Sequence, residues 1–211
     1  MRINLDGAIL SALTRIFDAL AVTVLFVLCC LPVFTIGAAL SAMYAAMIAI
    51  AGDDCTSPVR CFCDAFRSNF RQATVLWALA AVTGVIVAAD IVACWGFEME
   101  ATMVLSVMRG LTVFATILYI CLCVYVFSGI AVYQVTWKQA IANALFWTVK
   151  KVPETLGIIL LCAAEVLSVV VLWFFALPVI ALCLYLQGKL LRRVFELKVT
   201  PVHYEEEIDY T

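Results

Sequence analysis

The sequence predicts an all-α, polytopic membrane protein with about six transmembrane helices joined by short amphipathic helices at cytoplasmic elbows. Three observations predict it. The 211 residues are 66% hydrophobic and 13% charged, against roughly 45–50% and 25% in an ordinary soluble domain. Several apolar runs reach the roughly 18–20 residues that cross a hydrocarbon layer about 30 Å thick. The basic residues fall in short clusters between those runs rather than on one face of a soluble domain, so the formal charge of -2 points to no nucleic-acid partner.

The first span is expected over 18–34. Acidic and basic groups precede it and a second apolar run follows at once, so it reads as a retained helix rather than a cleaved signal. Pro32 and Gly37 punctuate a tight external turn, and a second span runs over 37–51. Within it Gly37, Ser41, Ala45 and Ala49 recur every four residues. Such a small-residue face lets helix backbones approach closely in lipid, which places this helix inside the bundle. A re-entrant hairpin over 18–51 satisfies the same charge pattern; the length of the first run favours two full spans. Further spans are expected over 73–95, 104–130, 155–173 and 175–191. The whole of 1–198 forms one transmembrane helical domain, and 199–211 is an acidic, solvated tail.

Orientation follows from Lys and Arg. Arg2 and Arg15 precede span one; Arg60, Arg67 and Arg71 lie between spans two and three; Lys138, Lys150 and Lys151 lie between four and five; Lys189, Arg192, Arg193 and Lys198 close span six. With both termini cytoplasmic all of these face inward, as the positive-inside bias requires, and Arg109 alone is left over.

Two cytoplasmic segments look alike. Displacing the chain by 79 residues lays 64–79 over 143–158 and matches Ala65 with Ala144, Phe66 with Leu145 and Arg71 with Lys150. Both read as amphipathic elbow helices, with Phe62, Phe66 and Phe70 in one and Trp137, Ile141, Leu145 and Val149 in the other at helical spacing. A parallel internal repeat explains this, and so do the basic and aromatic anchors that any elbow requires. The candidate contact residues are Phe66, Arg67, Asn69, Phe70, Arg71, Trp137, Lys150 and Lys151.

Charges inside apolar runs cost about 2.5–3.5 kcal/mol or more at a helix centre unless paired or hydrated, and mark sites by default. Asp90, Arg109 and Glu165 qualify. Asp90 and Arg109 are equidistant from the loop between their helices, so an ion pair is expected, extended by Glu165 into a triad that locks packing or lines a polar pathway. The ten cysteines show no disulfide framework, and "CTSPVRCFC" lacks the second ligand pair of a metal site. No phosphate-cradling loop, metalloprotease helix or nucleophile elbow is present, so neither an enzyme activity nor a cofactor is expected.

"LCCLPVFTIGAALSAMYAAM" and "FCDAFRSNFRQATVLW", continued by "TWKQAIANALFWTVKKVPETLG", resemble the YesL family of bacterial integral membrane proteins. The loop "GDDCTSPVRCFC" is richer in cysteine than that family's usual pattern. The resemblance implies a multi-pass protein of the bacterial cytoplasmic membrane, of unestablished activity and linked to carbohydrate uptake. A sugar permease or a second copy of the chain is then the expected partner within the lipid bilayer. The competing expectation is a small oligomeric transporter or channel built on Asp90, Arg109 and Glu165.

Overall fold

The computed structural model describes residues 5–55, 57–96, 103–133, 136–171 and 176–195, and side chains from residue 13 onward. Within them the chain is all α, without strands: α1 Leu5–Cys29, a 3-10 turn Val33–Thr35, α2 Ile36–Gly52, α3 Pro58–Trp95, α4 Met103–Val132, α5 Trp137–Lys150, α6 Val152–Val171 and α7 Ala176–Val194. Four stretches among the described residues are long and apolar enough to cross a membrane: Val33–Gly52, Pro58–Trp95, Met103–Val132 and Val152–Val171. The acidic tail and nearly all of the acidic loop after span three lie outside the described residues.

Helix α2 is the centre of the molecule. Two thirds of its most apolar window (67%) is buried, against 6% for α3, because α1, α3, α4 and α7 all pack on it. Small side chains make this possible. Ala38, Ala39, Ala42 and Ala46 have no exposed surface, and a Cβ on Gly37 would stand 2.5 Å from both the Ala73 carbonyl oxygen and the Trp77 Cβ. On the other flank a Cβ on Gly188 of α7 would stand 2.8 Å from the Met47 backbone. Such close approach gains dispersion contacts along both seams. The expected face is occupied unevenly: Gly37 and Ser41 are buried, Ala45 and Ala49 half-buried. The helix is enclosed on nearly every side rather than along one stripe.

One expected element takes a different form. The segment 64–79 is no separate elbow helix; it lies within α3, a continuous helix of 38 residues, about 57 Å long. Its Phe62 stacks on Phe66 at a centroid distance of 6.2 Å and Phe70 tilts against Phe66 at 5.6 Å, with Phe62 buried in the core and Phe66 packed against it. The matching segment, α5, is separate. Lys151 leaves helical geometry (φ -115°, ψ 57°), and Pro153 follows, whose ring would clash with the carbonyl four residues earlier if α5 continued. At the corresponding position α3 carries Thr74, which permits an unbroken helix.

The ends of α2 differ in chemistry. Its C-terminus closes with Asp53 in the left-handed region (φ 56°) and with the Asp54 N–H on the Ala49 carbonyl at 3.0 Å, which satisfies carbonyls the helix leaves open. Arg15 of α1 pairs with Asp53 at 2.5 Å, and Arg192 of α7 pairs with Asp54. Both cations sit at the negative end of the α2 dipole, so three helices and the α2–α3 loop are tied at one charged end.

Candidate functional site

The three charges expected within the membrane are not brought together. Asp90 is exposed, and among the described residues no ion pair joins it to Arg109. α3 and α4 run antiparallel, and Arg109 reaches the turn of α3 beyond Asp90. There its Nε donates to the Cys94 carbonyl at 3.0 Å, and the guanidinium lies over the Trp95 ring, 5.2 Å from the centroid. A cation–π contact and an open C-terminal carbonyl replace the expected carboxylate. The helix pair is closed further along by Tyr119, whose hydroxyl donates to the Ala80 carbonyl at 2.9 Å, in space left by Gly84.

Glu165 belongs to another cluster. It projects from α6 toward α7, where the Gln187 Nε2 donates to Glu165 Oε1 at 2.9 Å and lies 3.5 Å from the Cys162 Sγ. The Gln187 Oε1 accepts from the Tyr44 hydroxyl of α2 at 3.4 Å. Gln187 is fully buried and Tyr44 nearly so. One amide therefore links α2, α6 and α7, using both of its functional ends, beside the Gly188 that lets α7 approach α2. Each such bond contributes on the order of 1 kcal/mol, but an orphaned partner in this interior costs about 1–3 kcal/mol. Tyr44 and Gln187 were not among the expected site residues. The available signal was a lone amide within an apolar run, "ALCLYLQGKLL", overlooked because only formal charges were sought.

A cavity of about 200 Å³ opens between α3, α4 and α5, walled chiefly by apolar residues such as Leu76, Leu79, Leu122, Phe127 and Ile141. Its few polar groups include the Tyr119 hydroxyl, already bonded to Ala80. Such a lining receives hydrocarbon rather than a polar solute. All ten cysteines are free thiols, and among the described residues no three His, Cys, Asp or Glu side chains form a group able to hold a metal ion.

The elbow residues divide by face. Arg60, Arg67 and Arg71 are exposed along α3, opposite the Phe62–Phe66 side that meets α2, and none makes an ion pair among the described residues. Phe66, Asn69 and Phe70 are half-buried. In α5 the buried residues are Ala140 and Ala144, so Trp137, Leu145 and Val149 point outward. The Lys150 ammonium lies 5.1 Å from the Phe146 centroid and 5.8 Å from that of Trp147, and Lys151 is half-buried at the break between α5 and α6. Outward aromatic and apolar groups flanked by lysines are what a helix at a membrane surface presents.

Residues 20–91, from α1 to near the end of α3, match the model of a family described as "Protein of unknown function, DUF624". No curated protein and no solved structure matches the chain.

Proposed function

We propose that this chain is a YesL-type accessory or regulatory component of carbohydrate uptake in the bacterial cytoplasmic membrane, with both termini cytoplasmic, and that it holds a sugar permease through the basic face of α3. One observation carries the reading. Arg60, Arg67 and Arg71 stand exposed on a helix fixed from behind by α2, and the fold spends none of them on an ion pair among the described residues, whereas Arg15 and Arg192 at the same end are each paired with an aspartate. Charges displayed on a rigid support, rather than consumed in packing, suit recognition of an acidic surface. α5 offers a second basic and aromatic face in Trp137 and Lys150. The four long apolar helices support the membrane assignment, and the sugar association rests on the resemblance to YesL proteins.

The test is affinity purification of the protein from its native membrane in mild detergent. A sugar permease is expected to be retained in fixed proportion, and the Arg67→Glu, Arg71→Glu double variant is expected to lose it while still inserting and eluting as a folded species. Equal retention by the double variant would remove α3 from the interface. Recovery of the chain alone, with solute flux in proteoliposomes that Glu165→Gln abolishes, would instead favour the transporter reading.

A further inference from the structure

The turn between α1 and α2 differs from the turn at the other end of α2. At 53–57 the chain runs through two aspartates paired with arginines. At 29–34 it reads Cys-Cys-Leu-Pro-Val-Phe, and Leu31, Val33 and Phe34 are 76%, 63% and 60% exposed. A turn facing water ordinarily carries Gly, Asn, Asp or Ser. Three large apolar side chains presented together mark an apolar surround.

Part of the backbone of this turn is provided for internally. The Cys30 N–H bonds to the Phe26 carbonyl at 3.0 Å, the Leu31 N–H to the Leu28 carbonyl at 3.3 Å and the Thr35 N–H to the Pro32 carbonyl at 3.0 Å. Pro32 has no N–H to satisfy. The Thr35 hydroxyl, itself buried, lies 2.5 Å from the Cys29 carbonyl and 2.6 Å from the Pro32 carbonyl, closing the end of α1. Internal bonds of this kind suit a turn in hydrocarbon, which offers no water to satisfy open backbone groups.

The height of the turn is fixed by Gly37, which packs on Ala73 and Trp77 in the middle of α3. From Trp77 the helix continues to Trp95, about 27 Å at 1.5 Å per residue. That is close to the thickness of the hydrocarbon layer, with an indole at each margin. Before Trp77, α3 exposes Arg60, Asp64, Arg67 and Arg71 with Val59 and Val75; beyond it the exposed large side chains are apolar, among them Val82, Val85, Ile86 and Val92. The stretch of α3 beyond the turn is therefore one complete crossing, and the turn lies where that crossing begins.

We infer that α1 and α2 form a hairpin that stands on the charged side of this crossing and dips only its tip, residues 31–34, among the acyl chains of the adjacent leaflet, with neither helix reaching the opposite surface. α2 tolerates a depth set by this geometry because protein, not lipid, surrounds it.

Single cysteines placed in a cysteine-free background at exposed positions test this: Leu31→Cys at the turn, Ser57→Cys at the charged end and Met103→Cys at the start of α4. Each is probed in sealed vesicles of both orientations with a membrane-impermeant maleimide, and unfolding in SDS confirms that every thiol is reactive. Position 57 is expected to react from one side, position 103 from the other and position 31 from neither. Reaction at 31 from the same side as 103 would make α1 and α2 full spans and overturn the inference. Reaction at 31 from the same side as 57 would place the turn in water and overturn it equally. Footprinting of native Cys29 and Cys30 in the unmodified protein gives the same readout without substitution.

Discussion

The Gln187 amide shows how one neutral residue organises this interior. It donates to Glu165 and accepts from Tyr44, so its role depends on hydrogen-bonding capacity and not on charge. Glu165→Gln keeps an acceptor for Gln187 and is expected to leave stability within about 0.5 kcal/mol of the parent. Gln187→Leu orphans Glu165 and Tyr44 together and is expected to cost about 1–3 kcal/mol. For a chain of this size that lowers the midpoint of thermal unfolding by about 2–4 °C per kcal/mol, measurable on the detergent-solubilised protein by size-exclusion after heating. Equal losses in both variants would mean that the charge of Glu165, rather than its hydrogen bond, holds α6 to α7.

At the scale of elements, the α2–α3 seam depends on Gly37. Gly37→Ala directs a Cβ at a carbonyl oxygen and at a Cβ, neither of which can swing away, and is expected to destabilise by about 1–3 kcal/mol. Gly110→Ala and Gly129→Ala meet nothing within 4 Å and are expected to be neutral or stabilising by up to about 1 kcal/mol, since alanine is the better helix former. The same thermal measurement separates them, and a stable Gly37→Ala protein would contradict the close approach. The interior position of α2 was legible in its sequence because small residues at helical spacing have a direct packing consequence. Its mates were less so: Gly188 is the one glycine in α7, and a close approach depends on both surfaces. The form of α3 was misjudged because basic residues beside an apolar run suggested a boundary, although no proline or glycine interrupts 59–83. Pro153 was the available discriminator between α3 and the α5–α6 pair. The Asp90–Arg109 pair failed for a related reason, since equal depth in antiparallel helices leaves rotation about each axis undetermined, and Trp95 with the Cys94 carbonyl offered Arg109 nearer partners.

For the molecule as a whole, α3 connects two environments. Its first half carries exposed arginines on one side and the enclosed α2 on the other; its second half pairs with α4 through Tyr119 and Arg109 and presents aliphatic side chains outward. The division between them falls at the level of Trp77, where the α1–α2 turn also ends. A basic face available to a partner and a hairpin whose tip alone enters one leaflet both require that this division coincide with the membrane boundary. Spin labels at positions 67, 71, 85 and 92 in bilayers, with collision rates measured against oxygen and a water-soluble nickel chelate, test it most directly. The account predicts that the labels at 67 and 71 meet the nickel chelate while those at 85 and 92 meet oxygen. Oxygen-dominated relaxation at all four positions would contradict it, placing the whole of α3 in lipid and leaving no basic face for a partner to reach.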